Sequence, residues 1–459
     1  MIKHFRQTPV DLRQFNHQNK REAKYGLPEE VRFCRKCVIS NQRPNSEIEH
    51  QYKQSTIKKT INFDEEGICD ACRVAEKKAD IDWLEREAML REVCDRHRRT
   101  DGHYDCLCPG SGGKDSIRAY QLLTRKYDMH PLMATFAPTI FTEWGRRNLE
   151  RWSQNSGDHI LWSPNGRTYR LLARFAVENL FYPQQPFILG LKNAPPKIAA
   201  QHDISLVFYG ENEAEYGNPK EEFAAPDRLT KYFTNVPTDS IALGGVGIEE
   251  LTEEYGLKPV DLKMFLPGDP ELFINNNIQV LQLGYYERWH PQGSFYEAMQ
   301  NYGFEISPDR QVGTHTKYTS IDDLMDEYYY WTYFIKFGIG RATADVSQEI
   351  RSGDITREEG ISLVARYEGE FPSEMINDVC DFLSISKSEH PIAYSLFEQP
   401  KMDLDYFMHL ADRFRSPHLW DHVDNQWRLR YKVTDSNTFR RVESEEKALR
   451  WEGNKKSIT

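Results

Sequence analysis

Between residues 104 and 210, short apolar runs alternate with longer amphipathic stretches. Cys106 to Pro109, Leu132 to Ala137, His159 to Trp162 and Ile204 to Tyr209 read as strands, and the stretches between them as helices. Strands that alternate with helices predict an α/β fold with a doubly wound parallel sheet, whose ligands bind beyond the carboxyl ends of the strands. Upstream, Ile81, Leu84 and Ala88 fall at helical spacing in a charged segment ending at Arg99, which predicts a connector helix. Past residue 260 the pattern changes: Leu281 to Tyr286 reads as a further strand, and 321 to 415 is helical and rich in Tyr, Phe and acidic residues. Residues 1 to 30 are polar and without a period, and read as an arm or loosely docked extension. The expected divisions are the extension 1–30, a cysteine-bearing module 31–78, the sheet domain 79–260, and a mostly helical region 261–459 that completes the substrate site.

A chain of 459 residues has room for two or three cores, and its net charge of −11 argues against a general nucleic-acid surface. The start, Met1 to Arg6, has no apolar core behind it and no later run is long enough to span a bilayer, so the expectation is a soluble cytoplasmic protein without a membrane partner. Eight cysteines are too few for a secreted disulfide scaffold. Four of them form two CxxC pairs, Cys34 with Cys37 and Cys69 with Cys72, a spacing that lets all four thiolates reach one tetrahedral Zn²⁺ of a ribbon-like structural site. The insert between the pairs, Val38 to Ile68, is longer than the usual ribbon loop. Cys106 and Cys108 lie on the first strand and are expected in the core.

The chemistry concentrates at Ser111-Gly112-Gly113-Lys114-Asp115-Ser116, between the first strand and the helix that follows. Two glycines let backbone approach an anion, the helix-start N–H groups point at it, and two serine hydroxyls add donors. It is a phosphate cradle but not a Walker A loop, because Asp115 stands where Ser or Thr is needed and Cys108 where the first glycine should fall. The end of the second strand, Thr135, Phe136 and Ala137, is counted with the nucleotide site on the same topological ground. So are Gly210, Glu211 and Asn212 after the fourth strand, where carboxylates and an amide suit Mg²⁺ or polar substrate groups; the bland alternative is an acidic surface turn. Gly190 belongs to Phe187–Pro196, which reads equally as an active-site lid or a connection. His315, Lys336 and Arg341 bring basic groups into an acidic region; Lys336 and Arg341 either clamp a leaving pyrophosphate or are ordinary helix-surface cations.

The six-residue loop resembles the SGGxDS loop of the PP-loop ATP pyrophosphatases, which split ATP into AMP and pyrophosphate. The order of features from about Phe33 to about Pro372 further resembles the N-acetyl sugar amidotransferases, related to the pseudaminic-acid and O-antigen amidine-forming enzymes. It rests on Phe33–Cys37, Asp64–Cys72, Ile81-Asp82-Trp83, the SGGKDS loop, Gly210-Glu211-Asn212, Lys336-Phe337-Gly338 and Ile350–Glu359. Gly313-Thr314-His315-Thr316-Lys317 keeps only part of the family's fuller glycine and Lys-His run. The resemblance implies ATP and Mg²⁺ at the loop, with Ser111, Asp115, Ser116, His315, Lys336 and Arg341 in catalytic roles and Gly112, Gly113 and Lys114 cradling phosphate. It implies conversion of the acetamido group of a bacterial surface sugar, a nonulosonic acid or an acetamido uronic acid, free or nucleotide-activated, to an acetamidino group through an adenylylated imidate and ammonia, giving AMP and pyrophosphate. Position 2 is Ile and no Gly-x-Cys-x-Gly elbow occurs, so ammonia is expected from a separate glutaminase subunit, paired with a channel-forming barrel, or free from solution. The rivals are a tRNA-modifying PP-loop enzyme, with Arg91 to Arg99 on RNA, and a silent nucleotide-binding scaffold. Against sulfur transfer, no cysteine lies between Pro109 and Val379.

Overall fold

Pro131 to Phe136 is buried at all six positions, as a strand covered on both faces must be. In the computed structural model, which describes residues 8–16, 21–219, 221, 224–234, 236–384 and 401–435, it lies inside a five-stranded parallel sheet. The strands are β1 (Cys106–Pro109), β2 (Pro131–Phe136), β3 (His159–Trp162), β4 (Leu206–Tyr209) and β5 (Gln279–Gln282), in the order β3-β2-β1-β4-β5. Leu107 pairs with Leu132 on one side and Val207 on the other, and Val207 pairs with Val280. The order turns outward in both directions from β1 and β4, so a crevice opens past their carboxyl ends.

Side-chain alternation gives the sheet two cores. Leu107, Leu132 and Val207 pack with Phe175, Leu189 and Ile198 on one face. Cys106, Cys108, Met133 and Phe208 pack with Ile117, Leu149 and Trp152 on the other. Burial pushes the Cys108 thiol up to about 12, as befits a core cysteine.

Helices α1 (Asp70–Ala79) and α2 (Trp83–His97) precede the sheet, and Asp82 caps α2 by accepting from Leu84 N and Glu85 N at 3.0 and 3.1 Å. The connector helix therefore exists, but its inward face differs from the expected one. Leu84 is 79% exposed, and Leu90, Val93 and Cys94 are the buried residues, because only the second half of α2 reaches the sheet.

Around the sheet run α3 (Lys114–Gln121), α4 (Glu143–Asn155), α5 (Gly166–Leu180) and α6 (Gln185–Gln201). Phe187–Pro196 is thus neither lid nor connection: it lies inside α6, and most of it is buried. The helix runs through Pro195 and Pro196 because the carbonyl of Leu191, which Pro195 cannot serve, accepts from Tyr209 Oη at 2.8 Å. Residues 281–286 also differ, since β5 ends at Gln282 and Leu283–Tyr285 forms a 3₁₀ turn.

The C-terminal region holds α7 (Pro291–Tyr302), α8 (Met325–Phe337), α9 (Arg341–Ser352), α10 (Arg357–Tyr367), α11 (Ile376–Leu383) and α12 (Leu404–Phe414). A hairpin, β6 (Trp420–Val423) with β7 (Gln426–Leu429), follows; Asp424 and Asn425 hold positive φ at its turn, a polar pair that sequence reading passed over. The N-terminal extension is less loose than its polarity implies where it is described. Phe15 is fully buried, with its ring centroid 4.6 Å from that of Trp427 in the hairpin, and Lys24 N donates to Ser416 Oγ at 2.9 Å. Residues 1–7 and 17–20 of the extension lie outside the described residues.

Candidate active site

Strand β1 delivers the chain into Gly110–Gly113, and α3 starts at Lys114. Gly112 has φ +82°, and a Cβ there would lie 2.9 Å from Asn148 O and from Leu149 N and Cα, so both conformation and the passing backbone of α4 require glycine. Gly110, absent from the sequence-derived site, is equally constrained: a Cβ would meet Ser116 Cβ at 2.1 Å. Thr135 at the end of β2 ties the loop down, since its Oγ1 donates to Gly110 O at 2.5 Å and pairs with His159 Nε2 at 2.8 Å. The hydroxyl of Ser116 donates to Gly113 O at 2.9 Å.

Lys114 is buried and paired with Asp115, whose other oxygen accepts from Trp289 Nε1 at 2.8 Å. The N-cap of α3 is Gly113, so Asp115 does not cap the helix. Burial pulls the Lys114 ammonium down, but Asp115, Glu211 and Asp345 outweigh it and hold its pKa above the ordinary value. Glu211 comes from the turn after β4. Burial and the neighbouring Asp115 raise it to about 7, against the pull of Lys114 and of Tyr216, whose Oη donates to Glu211 Oε1 at 3.2 Å. Asn212 caps the following 3₁₀ turn by accepting from Ala214 N at 3.0 Å, and Gly210 lets β4 come close to Asp115 O, 3.3 Å from where a Cβ would sit.

The C-terminal region closes this crevice from the other side. Ser111 donates to Asp322, which also feels Lys114 and Arg341. Asp322 is placed by docking on α4: its backbone would lie 2.4 Å from a Cβ on Gly145, and its carbonyl accepts from Thr142 N at 3.1 Å. Neighbouring Asp323 accepts from Thr139 N, Ile140 N and Met325 N at 2.5, 3.0 and 2.9 Å, pinning the loop after β2. Arg341 is 2% exposed and donates through Nη2 to Thr319 O and Ser320 O. Its Nε and Nη1 have no partner among the described residues. A buried guanidinium with two unspent donors, near Asp322 and Asp345, is set up to receive a further anion. His315 Nε2 pairs with Glu349 at 2.8 Å and its Nδ1 has no partner among the described residues, while Thr314 Oγ1 donates to Asp345 at 2.7 Å. Burial lowers the His315 pKa, and Glu349 more than reverses it.

Not every expected residue arrives here. Lys336 and Arg341 do not form one clamp: Lys336 Nζ donates to Leu180 O at 2.7 Å and Tyr52 Oη at 3.2 Å, lining a separate cavity of about 230 Å³. Five residues apart across the α8–α9 break at Gly338–Gly340, the two side chains leave in different directions. The Phe136 ring and Gly190 meet each other, a Cβ on Gly190 falling 2.2 Å from Phe136 Cε1, so these two side positions are spent on core packing. Ala137, just past β2, gives its N–H to Trp162 O at 3.1 Å. Asp322 and Asp345 were not singled out from the sequence, although Asp345 stands four after Arg341 on α9.

The four CxxC thiolates converge. Their sulfurs lie within 4.8 Å of one another and are buried, with Cys34 to Cys72 at 3.8 Å and Cys37 to Cys69 at 3.7 Å. Four sulfurs bound tetrahedrally at about 2.3 Å stand about 3.8 Å apart, so the cluster fits Zn²⁺. Cys69 N–H and Lys36 N–H each donate to Cys34 Sγ at 3.4 Å. Half-buried Arg351 of α9 lies beside Cys37, Cys69 and Cys72, and Arg357 of α10 donates to the carbonyls of Cys37 and Cys34 at 3.1 and 3.2 Å. The module is thereby keyed to the C-terminal region.

Among the described residues no helix is long and apolar enough to cross a membrane. An uncharacterized protein of Methanocaldococcus jannaschii, MJ1599, is 33% identical over 79 residues, 17% of this chain and 28% of that protein, so the likeness spans under a third of the relative. Residues 312–434, which carry His315, Asp322, Arg341 and Asp345, match the family described as LPS biosynthesis protein WbpG-like, C-terminal domain.

Proposed function

We propose that the chain is an ATP-pyrophosphatase-type amidotransferase that converts the acetamido group of a bacterial surface sugar into an acetamidino group. One observation carries the reading: Asp322 accepts from Ser111 of the loop at the switch point of the sheet and feels buried Arg341, whose Nε and Nη1 have no hydrogen-bond partner among the described residues. The acetamido oxygen attacks the α-phosphorus of ATP and pyrophosphate leaves. Ammonia then adds to the imidate carbon, and AMP departs with the former amide oxygen, leaving C=NH in its place.

Chain groups supply positioning and charge. Loop N–H groups, Ser111, Ser116, Lys114 and Arg341 hold the phosphates and spread the charge on the leaving pyrophosphate. Asp115 and Glu211 are the carboxylates that would hold Mg²⁺, which brings charge neutralisation to the triphosphate. His315, held by Glu349, offers Nδ1 for a proton on the incoming nitrogen. The Cys34–Cys37–Cys69–Cys72 metal is structural. Ammonia would come from a separate glutaminase.

The test is direct. The full chain with ATP, Mg²⁺, ammonium and a panel of acetamido sugars is expected to release AMP and pyrophosphate in step with replacement of one sugar oxygen by NH, read by mass spectrometry. ADP and phosphate as products would refute the PP-loop chemistry, and AMP release without any nitrogen exchange would refute amidine formation.

A further inference from the structure

Lys336 is a buried lysine that the loop chemistry does not use. It stands 3% exposed on the wall of the 230 Å³ cavity, where α8 faces the insert between the two CxxC pairs. It forms no ion pair among the described residues: Nζ donates to Leu180 O at 2.7 Å and to Tyr52 Oη at 3.2 Å. Two N–H bonds are all that a neutral amine has, so this pattern leaves a lone pair on Nζ. A charged ammonium would carry a third N–H, for which no partner stands among the described residues. Burial of a cation without a counter-ion is costly, and Lys58 adds its repulsion. Together they keep Lys336 well below the ordinary lysine value, against the pull of Glu49.

The surroundings of this amine are unusual for a neutral group. Arg43, Lys58 and Lys192 line the same cavity, against two carboxylates, Glu47 and Glu49. Lys58 lies 3.5 Å from Glu47 and Lys192 3.6 Å from Glu49, whereas Arg43 Nη1 donates only to the carbonyl of Pro44, at 3.1 Å. One cation of the insert is therefore left without a carboxylate. A negative group formed on Lys336 would be neutralised there, not opposed. The cavity gives it room beside the amine, and its tyrosine walls admit a small uncharged molecule. A desolvated neutral lysine is also a nucleophile, as an exposed ammonium is not.

We propose that Lys336 is a carbamylation site: its amine adds to CO₂, and Arg43 and Lys58 of the insert hold the resulting carbamate. The lone pair of Nζ forms the N–C bond, one C=O π pair moves onto oxygen, and one N–H proton leaves to water. The product is Nζ–H bearing a CO₂⁻ group, and no oxidant or reductant is consumed. Its remaining N–H keeps Leu180 O, and the Tyr52 hydroxyl turns to donate to a carbamate oxygen. A neutral side chain of α8 thereby becomes an anion facing the cations of the insert, and the two walls are tied together. The site is distinct from the loop crevice: Tyr330, beside Tyr329 on α8, meets Arg341, whose guanidinium lies 5.0 Å from its ring. CO₂ is here a ligand of the cavity and not a reactant of the crevice, so the assignment does not depend on the amidotransferase reading.

The full chain, made with ¹⁵N-lysine and supplied with ¹³C-bicarbonate, tests it by ¹³C NMR. A carbonyl-region signal split by coupling to a lysine nitrogen is expected, because only an N–C bond gives that splitting. Alkylation with a trialkyloxonium salt converts the carbamate to a stable ester, and peptide mass spectrometry should find it on Lys336. The signal should be lost in Lys336→Met, a chain of similar shape, and fall at least fivefold in Arg43→Gln at the same bicarbonate concentration. Absence of a coupled signal at saturating bicarbonate, trapping only on other lysines, or an unchanged signal in folded Lys336→Met would overturn the assignment. A bound but uncoupled signal would make the cavity a site for bicarbonate itself and overturn it equally. Should Lys336→Met fail to fold, the trapped peptide from the unsubstituted chain still decides.

Discussion

The loop crevice proposed for ATP and the basic cavity lie on different faces of α8 and are assembled in opposite ways. The crevice has a local nucleus, six consecutive residues fixed by one strand and one helix, to which Glu211, Asp322 and Arg341 are added. The cavity has no nucleus: its basic groups come from residues 43, 58, 192 and 336, and meet only because a metal module, a sheet helix and the C-terminal region dock together. The difference teaches where each site is vulnerable. A crevice of this kind fails by local substitution, whereas the cavity fails when docking fails.

The largest effect should come from the metal. Cys72→Ser removes a ligand from a cluster whose sulfurs stand 3.8 Å apart across the two pairs, and with it the anchor of the insert that walls the cavity. We expect loss of bound zinc by elemental analysis and a loss of more than about 4 kcal/mol in the module's stability. The Lys336 carbamate signal should vanish while ATP binding at the loop persists. A retained signal in a zinc-free protein would break the comparison, because the cavity would then not depend on docking.

Next is Arg341→Lys, which keeps a positive charge near Asp322 and Asp345 but removes the fork whose Nε and Nη1 have no partner among the described residues. AMP formation is expected to fall about 100-fold, with the melting temperature little changed and the Lys336 carbamate intact. An equal fall in the carbamate signal would show that the two faces of α8 are one site.

These two cases also mark what the sequence made legible. The strands, the α/β class and the cysteine spacing follow from short-range pattern, and Cys106–Pro109 and His159–Trp162 appear with their expected bounds. Pattern failed where tertiary contacts decide: Leu84 has the spacing of a core residue but faces solvent, and Phe187–Pro196 has the composition of a loop but is helix because Tyr209 serves the carbonyl that Pro195 abandons. Within the site, the loop was readable because its chemistry is consecutive. Lys336 and Arg341 looked like partners because two basic groups stand five positions apart beside glycines, but the break at Gly338–Gly340 puts them on separate helices whose side chains leave in different directions. Asp322 and Asp345 became visible only through packing against Gly145 and Thr314.

A smaller effect probes the loop itself. Gly112→Ala places a Cβ at φ +82° against the backbone of Asn148 and Leu149, which cannot yield as a side chain would. The strain is expected to destabilise the fold by about 2 kcal/mol and to weaken ATP binding, with the Lys336 carbamate retained in the folded fraction. Denaturant melts and nucleotide titration check it. Unchanged ATP affinity would mean that the cradle does not use this turn.

The smallest expected effect is a pair of unlike pH slopes. Burial and Asp115 raise Glu211 to about 7, so its ionised form is the costly one: the carboxyl holds its proton at pH 6 and has lost it by pH 8. If Glu211 helps to hold Mg²⁺ with ATP, Mg·ATP affinity rises about tenfold over that interval, and Glu211→Gln flattens the rise. In the cavity the slope is absent. Lys336 is held well below its ordinary value by burial and by Lys58, against the pull of Glu49, so its amine is already neutral across this interval. A neutral amine and bicarbonate ion give carbamate and water with no net proton, so at a fixed concentration of bicarbonate ion the signal should stay level. A charged lysine would first have to shed a proton, and its carbamate would rise about tenfold per pH unit. Titrating both ligands on one preparation gives the two slopes side by side. Parallel slopes would mean that the same group governs both sites, and the division of labour across α8 would be wrong; a rising slope for ATP beside a level carbamate signal, the latter abolished by Lys336→Met, would assign each to its own face of the helix.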